Sequence, residues 1–406
     1  MMEAGAYRQI PGGVTAPRGF SASGVPAGLK KDSKPDLALI YSEAPASAAG
    51  VYTTNLVKAA PLELTRRRVA AGTARAVIIN AGNANACTGE RGLPDAVEMA
   101  RAAASSLGIA EEEVLVASTG VIGVPLPVEK ITAAVPQAVA SLNKENHALA
   151  SRAIMTTDLV PKEFAVQVHI KKSVVTIGGM AKGSGMIHPN MATMLCFITT
   201  DAAIGSEALQ TALKRAVDRS FNMITVDGDT STNDMVVVLA NGQAGNPEIK
   251  LDSEDYRFFY EGLLEVCTAL AKMIARDGEG ATRLIEVNVT GAPSRQDANL
   301  AARSVVGSNL FKAAVFGKDA NWGRILCALG YSGAVFDPAR ADIFIGDVQV
   351  AKDGGAVEFD EERATEMLSQ DPVIILVDLK SGTYSATAWG CDLTYDYVRI
   401  NGSYRT

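Results

Sequence analysis

The chain has 406 residues, 48% of them hydrophobic and 20% charged, with a formal net charge of −7. That is the balance of a globular enzyme, and the acidic charge argues against nucleic acid or an anionic membrane as the main partner. Five scattered cysteines without CxxC and three histidines without HExxH argue against a disulfide framework or a metal site. With no apolar run of about 18 residues and no secretory pattern in "MMEAGAYRQIPGG", a cytoplasmic protein is expected.

Strands and helices are mixed throughout the chain. "ARAVIINAGNANACTG" (74–89) reads as a buried strand entering a Gly/Asn loop, and "EVLVASTGVIGVPLP" (113–127) as a strand ending in a second glycine loop. A helix follows, with Pro136 as a kink or break. "EFAVQVHI" and "SVVTIGGMA" read as a strand pair turning near Lys171 and Lys172. After "TMLCFITT", a helix is expected from Ser206, its N-cap, to about Phe221, with Leu209, Leu213 and Val217 on one face. Strands "MITVD" and "MVVVLAN" precede a long helix over 253–276, striped by Phe259, Leu263, Val266, Leu270 and Met273 and closed by Gly278 as a C-cap. Further strands are expected around 282–291, 342–350, 373–379 and 384–391. No repeat or linker divides the chain. Its most punctuated stretch, 178–192, lies near its middle.

That stretch ends in "NMATMLCF", with Thr193 after Ala192 and four glycines and a proline just upstream. A threonine hydroxyl in such a turn can attack the preceding carbonyl, and hydrolysis of the ester then frees its α-amine. An α-amine titrates near about 7.7–8.0, against about 10.4 for lysine, so it serves as a base beside the hydroxyl it activates. A turn leading into a strand explains the same residues. "ASTGVIG" offers a hydroxyl and a glycine N–H at a loop tip, suited to an oxyanion or to a turn. "ITVDGDTSTND" (224–234) fails both as a phosphatase motif and as a calcium loop, and reads as a loop holding nearby backbone. "FGKDANWGRI", with Lys318 and Arg324, could steer an anion or be solvated, and the chain ends "INGSYRT" close to a strand.

Taken together, "VYTTN", "NAGNANACTG", "STGVIG", "IMTTDLVPK", "AKGSGMIHPNMATML", "DGDTSTND", "DGEGATR", "FGKDANWGRI" and "INGSYRT" resemble, in order from about residue 50, the ornithine acetyltransferase (glutamate N-acetyltransferase) family of arginine biosynthesis. The resemblance implies an α/β fold of layered sheets and helices, related to the β-aminopeptidases. It implies self-cleavage between Ala192 and Thr193 into intertwined chains, α (1–192) and β (193–406), assembled as α₂β₂.

The resemblance further implies Thr193 as the nucleophile, with Thr119 and Gly120 as the oxyanion hole. Thr156, Lys182, Thr193, Glu279, Asn401 and Thr406 become the substrate contacts. The tail departs from the family's commoner "INADYTT" but keeps Asn401 and the terminal threonine. The implied reaction takes acetyl from N²-acetylornithine to glutamate by a ping-pong route, with no cofactor and no metal. The family divides over acetyl-CoA as a second donor. Because "GGMAKGSGM" is not a phosphate-cradling loop, efficient use of acetylornithine and weak or no use of acetyl-CoA is expected. The rival readings are an amidase or aminopeptidase on the same fold, with water as acceptor, and a non-catalytic binding protein that self-cleaves only to mature.

Overall fold

The computed structural model describes residues 7–188 and 194–403. Ala192, Thr193 and Thr406 therefore lie outside the described residues. The strands are β1 (Tyr7–Ile10), β2 (Phe20–Val25), β3 (Leu37–Tyr52), β4 (Thr73–Asn83), β5 (Val114–Val121), β6 (Lys162–Ile170), β7 (Ser173–Lys182), β8 (Leu195–Thr200), β9 (Ile224–Thr225), β10 (Met235–Ala240), β11 (Leu284–Ala292), β12 (Asp342–Ile345), β13 (Val348–Lys352), β14 (Gly355–Ala356), β15 (Val373–Asp378) and β16 (Tyr384–Cys391). The helices are α1 (Ala60–Val69), α2 (Gly92–Leu107), α3 (Val128–Ala140), α4 (His147–Ala153), α5 (Ser206–Val217), α6 (Glu254–Arg276), α7 (Arg295–Gly307), α8 (Asn309–Gly317), α9 (Trp322–Gly330), α10 (Glu361–Leu368) and α11 (Tyr395–Ser403).

Two sheets organise the molecule. The first runs β1-β6-β7-β8-β10-β3-β4-β5, with β2 also on β3, and the second runs β14-β13-β12-β15-β11-β16-β9. The first sheet does not divide at residue 193. β8 pairs antiparallel with β7, β10 lies parallel to β8, and β10 pairs antiparallel with β3. Strands from both sides of residue 193 thus interleave, which explains the absence of a linker. Each side leaves the other's strand edges unpaired without it.

α6 is the seam between the layers. It packs on β6 and β7 and also touches β9, β11 and β16. The expected stripe is what it buries: Phe259, Leu263, Val266 and Leu270 are fully inaccessible, and Met273 packs at the margin. Burying such side chains is worth about 1.5–3 kcal/mol each. Gly262 sets the approach to the sheet, because a Cβ there would lie 2.4 Å from Val168 Cγ2. Among the described residues no helix is long and apolar enough to cross a membrane.

Several local expectations need correction. Ser206 is the first residue of α5, and its N-cap is the extended Gly205, without a side-chain cap bond. The helix ends at Val217 rather than Phe221. The C-cap of α6 is Asp277, and Gly278 has no left-handed φ. Gly278 is small for packing: a Cβ there would lie 2.6 Å from Cys391 Sγ. "MITVD" supplies only the two-residue β9, and the 342–350 segment is the hairpin β12–β13 turning at Gly346. α3 runs through Pro136.

Candidate active site

The ends of β4, β5 and β7, the loop 227–234 and Tyr397 and Asn401 of α11 line a cavity of about 120 Å³. Thr119, Gly120, Thr156, Lys182, Glu279 and Asn401 all line it. These are all the expected site residues that fall within the described residues. They come from points up to 282 positions apart.

Backbone geometry fixes the Thr119–Gly120 corner. β5 runs parallel to β4, with Ala81 opposite Thr119 and Gly82 opposite Gly120. Gly120 has φ of +130°, and a Cβ there would lie 2.4 Å from the Gly82 carbonyl carbon. Backbone cannot yield as a flexible side chain can, so the corner requires glycine. Lys182 Nζ donates to Thr119 Oγ1 at 3.4 Å. The hydroxyl and the ammonium therefore meet where acyl-transfer charge can be met.

Lys182 is only 3% exposed. Burial holds its pKa below the usual lysine value. Asp158 pulls the other way, Lys162 adds to the lowering, and Asp234 and Glu279 oppose it. Asp158, fully buried, is central. It accepts from Lys162 Nζ at 2.7 Å, Gly183 N at 2.7 Å and Thr156 N at 3.0 Å, and lies 4.0 Å from Lys182 Nζ. Burial alone would raise its pKa, but Lys182 and Lys162 hold it below the ordinary range. Asp277 accepts from Lys162 on the other side at 2.6 Å. The carboxylate residues Glu279, Asp227 and Asp229 line the same cavity as Lys182. Asn401 Nδ2 donates to Glu279 Oε2 at 2.8 Å. Gly185 makes room for Glu279, since a Cβ there would lie 2.5 Å from its carboxylate. A cation and several carboxylates in one cavity suit a small molecule carrying both a carboxylate and an ammonium group.

The loop 227–234 ties the chain on both sides of residue 193. Asp227 accepts from Met186 N at 2.6 Å and Ile187 N at 2.9 Å, and Asp234 accepts from Met194 N at 2.9 Å. Asn233 Nδ2 donates to the carbonyls of Ala84 and Ser118, both at 2.7 Å, joining the same loop to β4 and β5. Burial raises the Asp227 carboxyl, and raises that of Asp234 well above the ordinary range, against the Met194 N–H, Lys182 and nearby hydroxyls. Beyond Met194 the chain enters β8 with Leu195 opposite Lys182. The backbone-holding role read for this loop is thus what its side chains do.

A family model, that of the ArgJ family, matches residues 21–406. The chain belongs to the ArgJ family. The arginine biosynthesis bifunctional protein ArgJ of Symbiobacterium thermophilum is 61% identical over 98% of this chain and 99% of its own. Among solved structures, the arginine biosynthesis bifunctional protein argJ of Bacillus halodurans is 54% identical with a TM-score of 0.50, covering 51% of this chain and 98% of that one. The ornithine acetyltransferase of Mycobacterium tuberculosis, solved in complex with ornithine, is 45% identical with a TM-score of 0.43, covering 45% of this chain and 98% of that one.

Against this family background, two expectations separate. The block around Lys318 and Arg324 lies outside the cavity lining. Lys318 closes α8 in a left-handed conformation, and Arg324 donates to the Leu310 carbonyl. Conversely, Asp158, Lys162, Asp277 and Tyr397 were not singled out. Asp158 and Lys162 sit in "IMTTDLVPK" and Asp277 in "DGEGATR", so the blocks were visible. Their pairing across 115 residues was not.

Proposed function

We propose that this chain is an acetyltransferase of arginine biosynthesis, moving acetyl from N²-acetylornithine to glutamate through an acetyl-threonine. Family membership, and relatives named for arginine biosynthesis, favour acyl transfer over the amidase reading. The observation that carries the proposal is the convergence of Thr119, Gly120, Thr156, Lys182, Glu279 and Asn401 on one cavity, with β8 entering opposite Lys182.

In the proposed route the Thr193 hydroxyl first attacks the Ala192 carbonyl, and hydrolysis leaves an α chain of 1–192 and a β chain of 193–406. Its freed amine then takes the hydroxyl proton as the oxygen attacks the acetyl carbonyl of acetylornithine. The Thr119 hydroxyl and Gly120 N–H receive the oxyanion, with Lys182 beside Thr119. The amine returns the proton to the departing nitrogen, and ornithine leaves. The glutamate amine next attacks the acetyl ester, regenerating the threonine. Lys182 is assigned a substrate carboxylate and Glu279, held by Asn401, an ammonium group. Thr156 and the Thr406 carboxylate complete the contacts.

The two-chain form has support in length. The Bacillus halodurans chain, matched over 98% of itself, spans 51% of this one and so is about half as long. The clamps at Met186, Ile187 and Met194 support a turn held on both sides of the bond to be cut. All five cysteines are free, which supports a reducing, cytoplasmic compartment. An α₂β₂ assembly is part of the proposal, and light scattering of the cleaved protein tests it. The word "bifunctional" in the relatives' name favours a second activity. Acetylation of glutamate from acetyl-CoA is proposed for it, against the expectation drawn from the missing phosphate loop. The test of the main reading is two-substrate kinetics. Parallel initial-rate lines, with ornithine released before glutamate is added, support it, and release of free acetate in place of acetylglutamate would return the amidase reading.

A further inference from the structure

A second cavity, of about 210 Å³, is lined by α6, α7 and β16 and shares no lining residue with the first. Arg219, from the turn after α5, and Arg295, the first residue of α7, bring two guanidinium groups to it. Neither makes an ion pair, and no carboxylate lines the cavity, among the described residues. That is a local reversal in a chain whose net charge is −7.

The rest of the wall is uncharged. Thr268 of α6 and Asn299 of α7 offer a hydroxyl and an amide, and neither side chain has a hydrogen-bond partner among the described residues. Met223, Leu264, Ala386 and the Trp389 ring add apolar surface. The β16 side is held in place from behind. Trp389 Nε1 donates to Glu286 Oε2 at 2.8 Å, and Thr387 Oγ1 donates to Asn288 Oδ1 at 2.8 Å. Glu286 is itself paired with Lys272 at 2.9 Å, so the carboxylate that touches this wall is already neutralised. Arg295 Nη1 donates to the Ser385 carbonyl at 3.5 Å, tying α7 to β16 and leaving its other N–H groups without a partner among the described residues.

We propose that this cavity binds a small dicarboxylate whose amine is acylated, the class to which acetylglutamate belongs. Arg219 and Arg295 meet the two carboxylates, because a planar guanidinium matches a carboxylate in paired hydrogen bonds. Asn299 and Thr268 take the amide N–H and carbonyl, and the acyl methyl lies against Met223, Leu264 and Trp389. The lining selects against the free amino acid. An ammonium group would meet two guanidinium groups and no carboxylate, and an unpaired like charge disfavours binding. The two cavities thus sort an acidic amino acid by the state of its nitrogen, since Glu279, Asp227 and Asp229 line the first and no carboxylate among the described residues lines the second. The choice of acetylglutamate within the class rests on the acetyl-transfer reading, which makes it the product.

The test uses the full-length purified protein and a double variant, Arg219→Glu with Arg295→Glu, both at exposed positions outside the first cavity. Calorimetry with acetylglutamate counts sites without turnover. The proposal expects the unaltered protein to bind one more equivalent per chain copy than the double variant, whose affinity at this site falls on the order of tenfold or more. The acetylornithine-driven rate of the variant stays unchanged. A second variant, Asn299→Asp, keeps the shape and adds a negative charge, and it should lose the same equivalent with both arginines in place. Free glutamate and inorganic phosphate should show no such difference between the proteins. Equal binding of acetylglutamate by the unaltered protein and the variants overturns the site, and a matching difference with glutamate or phosphate overturns the ligand class. Failure of the acetyl-transfer reading shows differently, as no acetylglutamate formed from acetylornithine and glutamate while the binding difference persists.

Discussion

Replacing Asp158 by Asn tests whether one buried carboxylate positions the candidate site. The substitution keeps the shape and removes the charge. The carboxylate accepts from Lys162 Nζ, Gly183 N and Thr156 N, so the amide nitrogen of an Asn must face a donor on one side. Breaking a buried ion pair costs about 3–5 kcal/mol. Lys162 keeps Asp277 at 2.6 Å, which places the cost near the lower end, about 3 kcal/mol. The acid limb gives the sign. The pKa of Asp158 in the folded chain is held below its unfolded value, so its stabilisation is complete above about pH 4. That contribution fades as pH falls through the folded value, and the gap between wild type and D158N closes in acid. The second readout is catalytic. At 4.0 Å and an effective dielectric of about 20, Asp158 and Lys182 attract by about 4 kcal/mol. Removing that attraction lowers the pKa of Lys182 further, and the alkaline limb of kcat/KM moves to lower pH. Denaturant midpoints across pH and pH–rate profiles with acetylornithine measure both. A D158N protein of undiminished stability at neutral pH, with its alkaline limb unmoved, would refute the reasoning.

Thr119→Ala should lower kcat on the order of 10²–10³ with KM little changed, as for loss of an oxyanion donor; a raised KM at full kcat would make it a binding residue only. Gly120→Ala should lose both activity and stability, because its Cβ meets the Gly82 backbone and its φ is +130°; circular dichroism melts and turnover check it. Glu279→Gln keeps the Asn401 contact yet removes the charge, so KM for acetylornithine should rise more than kcat falls, which steady-state kinetics reads. Thr193→Ala should remain a single chain on a denaturing gel and show no turnover.

How far the sequence reached depended on whether a signal was local. α6 was readable because its apolar stripe repeats every three to four residues, and β4, β5, β6 and β7 because their apolar runs end in glycine or charged turns. β3, the longest strand among the described residues, gave no such signal. Its second half is alanine-rich and carries Pro45 and Gly50, and it is a strand because β2, β4 and β10 all pair with it. The caps failed for a related reason. Gly278 marked a close approach to Cys391 and Val226, a tertiary fact, while Gly205 took the extended conformation a cap needs. Among the site residues, those in a motif block were legible one by one. The Asp158–Lys162–Asp277 network was not, because its members gain meaning only when α6 brings Asp277 beside β6.

The central claim is that Thr193 is both the new chain start and the acetyl carrier, and intact-mass analysis tests it most directly. The purified protein, measured before and after acetylornithine alone, should consist of two chains, the second beginning Thr-Met-Leu-Cys. After acetylornithine that second chain should gain one acetyl group at Thr193, with an equivalent of ornithine released. A single uncut chain that turns over at full rate, or a cut protein whose second chain never carries acetyl while acetylglutamate accumulates, would contradict the account.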